Sequence, residues 1–387
     1  MARRLRVVLA HDWLTGMRGG ERVLERLCGL FPDAPIYTLL HRRGSLSPLL
    51  ESRRIVTSPL DLFPGAAQGY RRLLPLMPAA VRALRVEPCD LVLSTSHCAI
   101  KAIVPPPGAR HLSYIFTPMR YVWDQAEAYF GRGQAALPTR LAAAIGAPWL
   151  RRWDARTARR VDRFVAISHC VADRVRRAYG RDAGLVYPPV ELARFAPTPP
   201  PGPAGYYLMV TAFAPYKRVE VALEAFGRLG RRLKVVGDGQ AVSRLRPLFR
   251  GPVEWLGPRS DAEVTRLYEG CRAFVLPGEE DFGITPLEAQ ASGRPVIALA
   301  RGGATETVVP FGNAAGDPPT GILYPGGPSP EARDVDRLSQ AIVEFEAHEA
   351  SFRPEVCRRQ AERFSPEAFD RGLLAEVDHL VGGLDRV

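Results

Sequence analysis

The sequence predicts an α/β protein built from two Rossmann-like, doubly wound domains that face a central cleft. Three observations predict it. Short apolar runs alternate with stretches of helical period, the signature of βαβ units and parallel sheets. A proline-dense segment, Tyr187-Pro188-Pro189-Val190 through Pro199-Pro200-Pro201-Gly202-Pro203, interrupts that alternation. The length, 387 residues, suits two domains better than one or three at roughly 100–200 residues each.

The elements follow in order. The first domain, residues 1–190, opens on an apolar strand at 6–10; its run before His11-Asp12 is too short for the apolar region of a signal peptide. A helix is expected at 20–30, strands at 35–39, 90–94, 111–116 and 163–167, and a helix at 168–179. Prolines at 187–203 cannot continue a helix or central strand and stiffen a connector, which places the boundary there. The second domain, 191–365, alternates strands at 207–210, 233–236, 253–256, 273–276 and 295–298 with helices at 218–229, 240–248, 261–270 and 286–292. A last helix, 366–387, is expected to pack back on the first domain. In such sheets ligands bind at the carboxyl ends of the strands, so both sites are expected to open toward the cleft.

Composition narrows the class. No apolar run reaches the roughly 20 residues of a membrane-spanning helix. Six scattered cysteines, without a CxxC pair, argue against a zinc site or a disulfide scaffold and fit a cytoplasmic protein. Charge is uneven: residues 1–190 carry 29 Lys+Arg against 14 Asp+Glu, while 191–387 carry 23 against 27. Arginine pairs such as Arg71-Arg72 stand beside apolar residues, as in Tyr70-Arg71-Arg72-Leu73-Leu74-Pro75-Leu76. That mixture suits either an anionic membrane surface or a solvated Arg-rich face. Nucleic acid is not expected, because the basic pairs have no interleaved aromatics and no recognised reading motif.

The richest chemistry lies in Pro277-Gly278-Glu279-Glu280-Asp281-Phe282-Gly283-Ile284-Thr285-Pro286-Leu287-Glu288, which runs from a strand through a glycine loop into a helix. Free N–H groups at such a helix start favour an anion, and Glu280 and Glu288 can accept hydrogen bonds from hydroxyls. A hydroxyl-rich ligand with a phosphate, such as a nucleotide sugar, fits. Thr285 and Glu288 also read as a capping box, with Pro286 suited to the first helical position. No Asp-x-Asp pair is present in this segment, so no metal is expected. Lys217 and Arg218, in Pro215-Tyr216-Lys217-Arg218, could neutralise a diphosphate or be surface charges. Gly237-Asp238-Gly239 and Arg18-Gly19-Gly20-Glu21 allow close backbone approach to a ligand, or simply turn the chain.

Together these segments resemble the family-four retaining glycosyltransferases of GT-B fold. Glu280 through Glu288 is similar to that family's Glu-x7-Glu motif, and 215–218 to its donor-diphosphate segment. His11-Asp12-Trp13-Leu14, Ser96-His97, Thr117-Pro118-Met119-Arg120-Tyr121 with Trp123-Asp124, and Tyr187-Pro188-Pro189-Val190 resemble a bacterial mannosyl- and rhamnosyltransferase branch of surface-polysaccharide assembly. The resemblance implies a retaining, metal-independent hexosyltransferase without a cofactor, which moves mannose from GDP-mannose to a lipid-linked or growing glycan. Glu280, Lys217 and His97 would carry catalysis. Gly19, Gly20, Lys217, Arg218, Gly237, Gly239, Glu280, Phe282, Gly283, Ile284, Thr285 and Glu288 would bind the donor. Asp12, His97, Arg120, Trp123 and Asp124 would lie on the acceptor side. Two departures stand out: Ala212 where many relatives have Arg, and Phe116 where many have His. They leave open a non-catalytic nucleotide-sugar-binding subunit that supports a partner transferase.

Overall fold

A computed structural model of the chain describes residues 5–123, 137–239, 242–249, 251–328 and 330–382. It divides into two compact units, one running to Pro188 and resuming at Phe369, the other Pro189–Ala368.

The first unit is a seven-stranded parallel sheet, β1 (Val7–His11), β2 (Ile36–Thr38), β3 (Ile55–Thr57), β4 (Leu91–Ser96), β5 (Arg110–Ile115), β6 (Arg163–Ala166) and β7 (Ala183–Leu185), in the order 3-2-1-4-5-6-7. Every residue of β1 and β4 is buried, as central strands covered on both faces require. The helices used below are α1 (Gly19–Leu30), α2 (Met77–Ala83), α3 (Leu137–Ala158) and α4 (His169–Tyr179). Strands β3 and β7, three residues each, carry too little apolar signal to be expected from sequence.

The second unit is a six-stranded parallel sheet, β8 (Tyr206–Val210), β9 (Leu233–Val236), β10 (Val253–Gly257), β11 (Cys271–Leu276), β12 (Val296–Leu299) and β13 (Gly321–Tyr324), in the order 10-9-8-11-12-13. Its helices include α5 (Val219–Leu229), α6 (Asp261–Glu269), α7 (Ile284–Ala291), α8 (Arg333–Ala347) and α9 (Pro354–Glu362). Helix α5 buries Val219, Ala222, Leu223 and Phe226, a spacing of three and four that lays one apolar stripe on the sheet.

The final helix, α10 (Pro366–Val381), packs on the first unit from Phe369 onward. Phe369 meets Tyr114 edge-on at 5.6 Å, Arg26 pairs with Asp370, and Arg163 with Glu376 at 2.7 Å. Gly372 leaves room for Val186, whose methyls would lie 3.2 Å from an added Cβ.

Both sheets reverse their winding once, between β1 and β4 and between β8 and β11. Loops leaving neighbouring strands in opposite directions part at that place and open a crevice at the carboxyl ends. The loops after β1 and β4 hold 12–18 and 97–100; those after β8 and β11 hold 211–218 and 277–283.

Candidate functional site

In the second unit, glycines let three loops lie on one another. A Cβ on Gly278 would sit 2.5 Å from the Tyr216 carbonyl oxygen and 2.6 Å from Lys217 Cα. The loop after β11 therefore rests directly on the turn Pro215–Lys217. Gly302 and Gly303, after β12, meet the same loop from the other side. Added Cβ atoms there would lie 2.2 Å from the Glu280 carbonyl and 2.1 Å from that of Phe282. Gly303 N–H donates to the Glu280 carbonyl at 2.8 Å.

This stacking brings Lys217 and Glu280 together: the ammonium donates to the carboxylate in an ion pair whose side chains are four-fifths buried or more. Their neighbours have other partners. Glu279 pairs with Arg301 at 2.7 Å. Arg218, expected on a diphosphate, turns the other way, and this corrects its assignment. It is the only non-glycine described at positive φ (49°), and its buried guanidinium pairs with Asp334 at 3.2 Å and donates to the Gly327 carbonyl at 2.6 Å. It ties the start of α5 to α8.

The expected capping box at Thr285 and Glu288 does not form. Gly283, at φ 95°, turns the chain so that α7 begins at Ile284, and Thr285 is already inside the helix. No side chain caps α7, so the first-turn N–H groups of Ile284 and Thr285 remain the anion-attracting end of the helix. Pro286 is the third helical residue, not the first. Glu288 instead accepts from Arg194 at 2.5 Å and from the Tyr268 hydroxyl at 3.1 Å. Arg194 also pairs with Asp261 at 3.0 Å. Burial, then the Glu288 charge, pushes the Tyr268 phenol up, so it stays a donor. Arg194 and Tyr268 were not expected at the site; an arginine within a proline-rich connector carries no local signal.

Gly237 and Gly239 face neighbouring backbone. Added Cβ atoms would lie 1.8 Å from the Thr211 carbonyl and 2.8 Å from Phe213 Cβ, so these glycines let the loop after β9 close on the loop after β8. Phe213 stacks on Trp255 at 5.7 Å. Phe282 is a buried packing residue, its ring against Phe364 at 5.6 Å.

In the first unit the crevice between β1 and β4 is organised by Asp12. One carboxylate oxygen accepts from the N–H groups of His97 (2.6 Å) and Cys98 (2.9 Å), the other from those of Ala99 (2.7 Å) and Ile100 (2.8 Å). Fully buried and bonded four times over, Asp12 is a holder of the 97–100 loop, which corrects its placing among acceptor contacts. It also lies 3.2 Å from His97 Nδ1 and orients that ring. His97, 30% exposed, rests edge-on against Trp13 at 4.5 Å.

Beneath it, His11 is wholly buried. The Thr95 hydroxyl donates to the Ala10 carbonyl at 3.2 Å, so its oxygen accepts from His11 Nδ1 at 2.7 Å. Burial lowers the His11 pKa to about 3, and its Nε2 lies 4.0 Å from Glu21. Glu21 accepts from the Arg18 N–H at 3.1 Å, and burial raises its pKa to about 7. Gly19 and Gly20 open α1 beside them. A Cβ on Gly20 would come within 3.3 Å of His11 and 3.4 Å of Phe116, so that glycine lets two rings approach the start of α1 closely.

Arg120 is half-buried. Trp123 donates to Asp154 at 2.8 Å, and Asp154 also takes the Tyr179 hydroxyl (2.8 Å) and the buried Lys101 ammonium (2.7 Å). Trp123 is therefore anchored in a buried polar cluster that sequence reasoning missed. Asp124 lies outside the described residues.

Residues 193–353 match the family described as Glycosyl transferases group 1, and 17–194 that described as Glycosyltransferase Family 4. Among curated proteins, the D-inositol 3-phosphate glycosyltransferase of Streptomyces bingchenggensis is 31% identical over 212 residues, 46% of this chain and 45% of that protein. A GDP-mannose-dependent monoacylated alpha-(1-6)-phosphatidylinositol monomannoside mannosyltransferase of Corynebacterium glutamicum is 34% identical over 125 residues, 30% of this chain and 29% of that protein. The chain spans about a quarter to a half of the length of the curated relatives it matches. Among solved structures, Anabaena HepE in complex with UDP superimposes with a TM-score of 0.66 at 15% identity, covering 97% of this chain and 100% of that one. The fold is GT-B, as in that solved structure, and each half of the chain is similar to one of the two glycosyltransferase families.

Proposed function

We propose that this chain, whose halves match the group 1 and family 4 glycosyltransferases, is a retaining, metal-independent hexosyltransferase. It moves mannose from GDP-mannose to a hydroxyl of a lipid-linked or growing glycan. It works in the cytoplasm, peripherally on the inner face of the membrane. Among the described residues no helix is long and apolar enough to cross a membrane. The observation that carries the reading is the Lys217–Glu280 pair beside the uncapped start of α7, at the reversal of the second sheet. A cation, a carboxylate and free helix N–H groups within one loop stack are the three partners that a diphosphate attached to a sugar demands.

Lys217 and Glu280 neutralise one another as a pair, and a nucleotide sugar offers each a new partner. Lys217 donates to the diphosphate, joined by the N–H groups of Ile284 and Thr285, while Glu280 accepts from sugar hydroxyls. Glu288, already cradled by Arg194 and Tyr268, takes the ribose. In a front-face transfer the bond from C1 to the phosphate oxygen breaks as the acceptor oxygen bonds to C1 on the same face. The acceptor proton passes to the leaving phosphate, and no protein nucleophile is used. Catalysis then rests on position and on stabilising the departing charge. His97, oriented by Asp12, serves the acceptor side. The mannosyltransferase of Corynebacterium glutamicum supports mannose as the sugar and GDP as the carrier.

A second reading, a binding subunit without turnover, is favoured by Phe116, whose ring has no proton to exchange and packs on Gly20 and Tyr114. One experiment separates them: thermal shift with GDP-, UDP-, ADP- and dTDP-sugars in metal-free buffer, then release of nucleoside diphosphate with lipid-linked acceptors. Stabilisation with release is expected for GDP-mannose. Stabilisation without release favours the subunit, and no stabilisation by any donor refutes the donor site.

A further inference from the structure

On the first unit a groove of about 410 Å³ lies between α2 and the end of α3. Its walls carry Arg82, Arg156 and Arg160, with Trp153, Thr157 and Val104 between them, and no carboxylate among the described residues lines it. Some exposed arginines of this unit are paired: Arg6 with Asp90, Arg54 with Glu87, Arg176 with Asp182. Among the described residues none of the three groove arginines has a carboxylate partner. Two acids lie two residues along the chain from groove arginines, and both are engaged elsewhere: Asp154 is buried against Lys101, Trp123 and Tyr179, and Asp162 takes the His111 N–H and Arg110. Three like charges sharing one concavity repel unless an anion joins them.

A second feature lies on the same helix. Ile145 and Trp149 are 80% and 51% exposed, and with Arg152 and Arg156 they recur at steps of four, three and four. That spacing sets two bare apolar side chains and two arginines along one face of α3. Val104, in the groove wall, is 44% exposed as well. A free phosphate needs the cations only. Apolar side chains beside them suit a surface where phosphate groups border acyl chains.

We propose that this groove and the adjoining face of α3 seat the phosphate of an anionic lipid headgroup. The inference rests on the reading that the chain works at a lipid-linked acceptor. The guanidiniums take the phosphate oxygens in forked hydrogen bonds, and Ile145 and Trp149 enter the interface beside it.

Sedimentation of the full chain with vesicles tests this at fixed ionic strength, with phosphatidylcholine alone and with 30% phosphatidylglycerol added. Binding is expected only to the anionic vesicles. Each cation contributes about fivefold near such a surface, so Arg82→Gln/Arg156→Gln/Arg160→Gln should weaken partition by about a hundredfold. A control of equal charge, Arg42→Gln/Arg43→Gln/Arg177→Gln, should weaken it far less. Trp149→Ser should weaken it with no change in charge. Matching circular dichroism melts show that the variants fold. Equal loss in the two triple variants, or no binding by the parent, overturns the proposal. Displacement by inorganic phosphate, with chloride as the ionic-strength control, assigns the groove to free phosphate and overturns it too. Turnover of a water-soluble acceptor is measured on the same samples: if it persists without vesicle binding, the lipid site fails and the transferase reading stands.

Discussion

Removing the Lys217 ammonium perturbs two things that can be measured apart. Glu280 loses its cation while remaining about four-fifths buried. Exposed pairs contribute about 0–1 kcal/mol, and breaking a fully buried one costs about 3–5. A partly buried pair should therefore cost about 1–2 kcal/mol, a fall of roughly 2–8 °C in Tm. The proposed chemistry loses more, because a charge-assisted donor to a departing oxyanion is worth about 3–4 kcal/mol. Lys217→Met should thus lower kcat/KM by about two to three orders of magnitude. Adding Glu280→Gln removes the stranded carboxylate. The double variant should regain most of the lost Tm and none of the lost turnover. Urea melts and release of nucleoside diphosphate give the two readouts. Turnover of Lys217→Met within a factor of two of the parent refutes the assignment, as does recovery of activity along with stability in the double variant.

Further outcomes follow from the buried groups. Because burial raises Glu21 to about 7, its native form binds a proton that the unfolded chain releases above the ordinary 4.5, so it costs stability as pH rises from about 4.5 to 7. The stability gained by Glu21→Gln should accordingly be about 2 kcal/mol larger at pH 7.5 than at pH 5 in urea melts, and a constant difference contradicts the burial argument. Arg218→Met removes one of two arginine partners of the buried Asp334, which keeps Arg337 at 2.8 Å and the Glu331 N–H at 3.0 Å, and should cost about 2–3 kcal/mol, while its kcat, measured well below its Tm, stays near that of the parent. A selective loss of kcat would return Arg218 to the donor site. EDTA should leave nucleoside diphosphate release unchanged, and restoration by an added divalent ion after EDTA treatment would show a metal requirement.

What the sequence determined by itself is local. The alternation of apolar runs with amphipathic stretches predicts two parallel sheets, because strand and helix periods are properties of contiguous residues. The order strand, glycine loop, helix at 271–291 likewise brings Glu280 and the start of α7 to one place, since all of it lies within some twenty residues. The tertiary structure decided what each charged side chain does there. Lys217 and Arg218 are neighbours in the chain, yet one meets Glu280 and the other turns inward to Asp334, over a hundred residues away. Glu288 reads as a helix cap until Gly283 shifts the helix start and Arg194 and Tyr268 arrive from other segments. Asp12 is expected on the acceptor side until folding presents it with four N–H groups from the loop after β4. The pKa values of Glu21 and His11 and the three arginines of one groove are equally invisible along the chain. Burial and ion pairing depend on which distant groups the fold brings within about 4 Å, and that distance is set by packing, not by the local sequence.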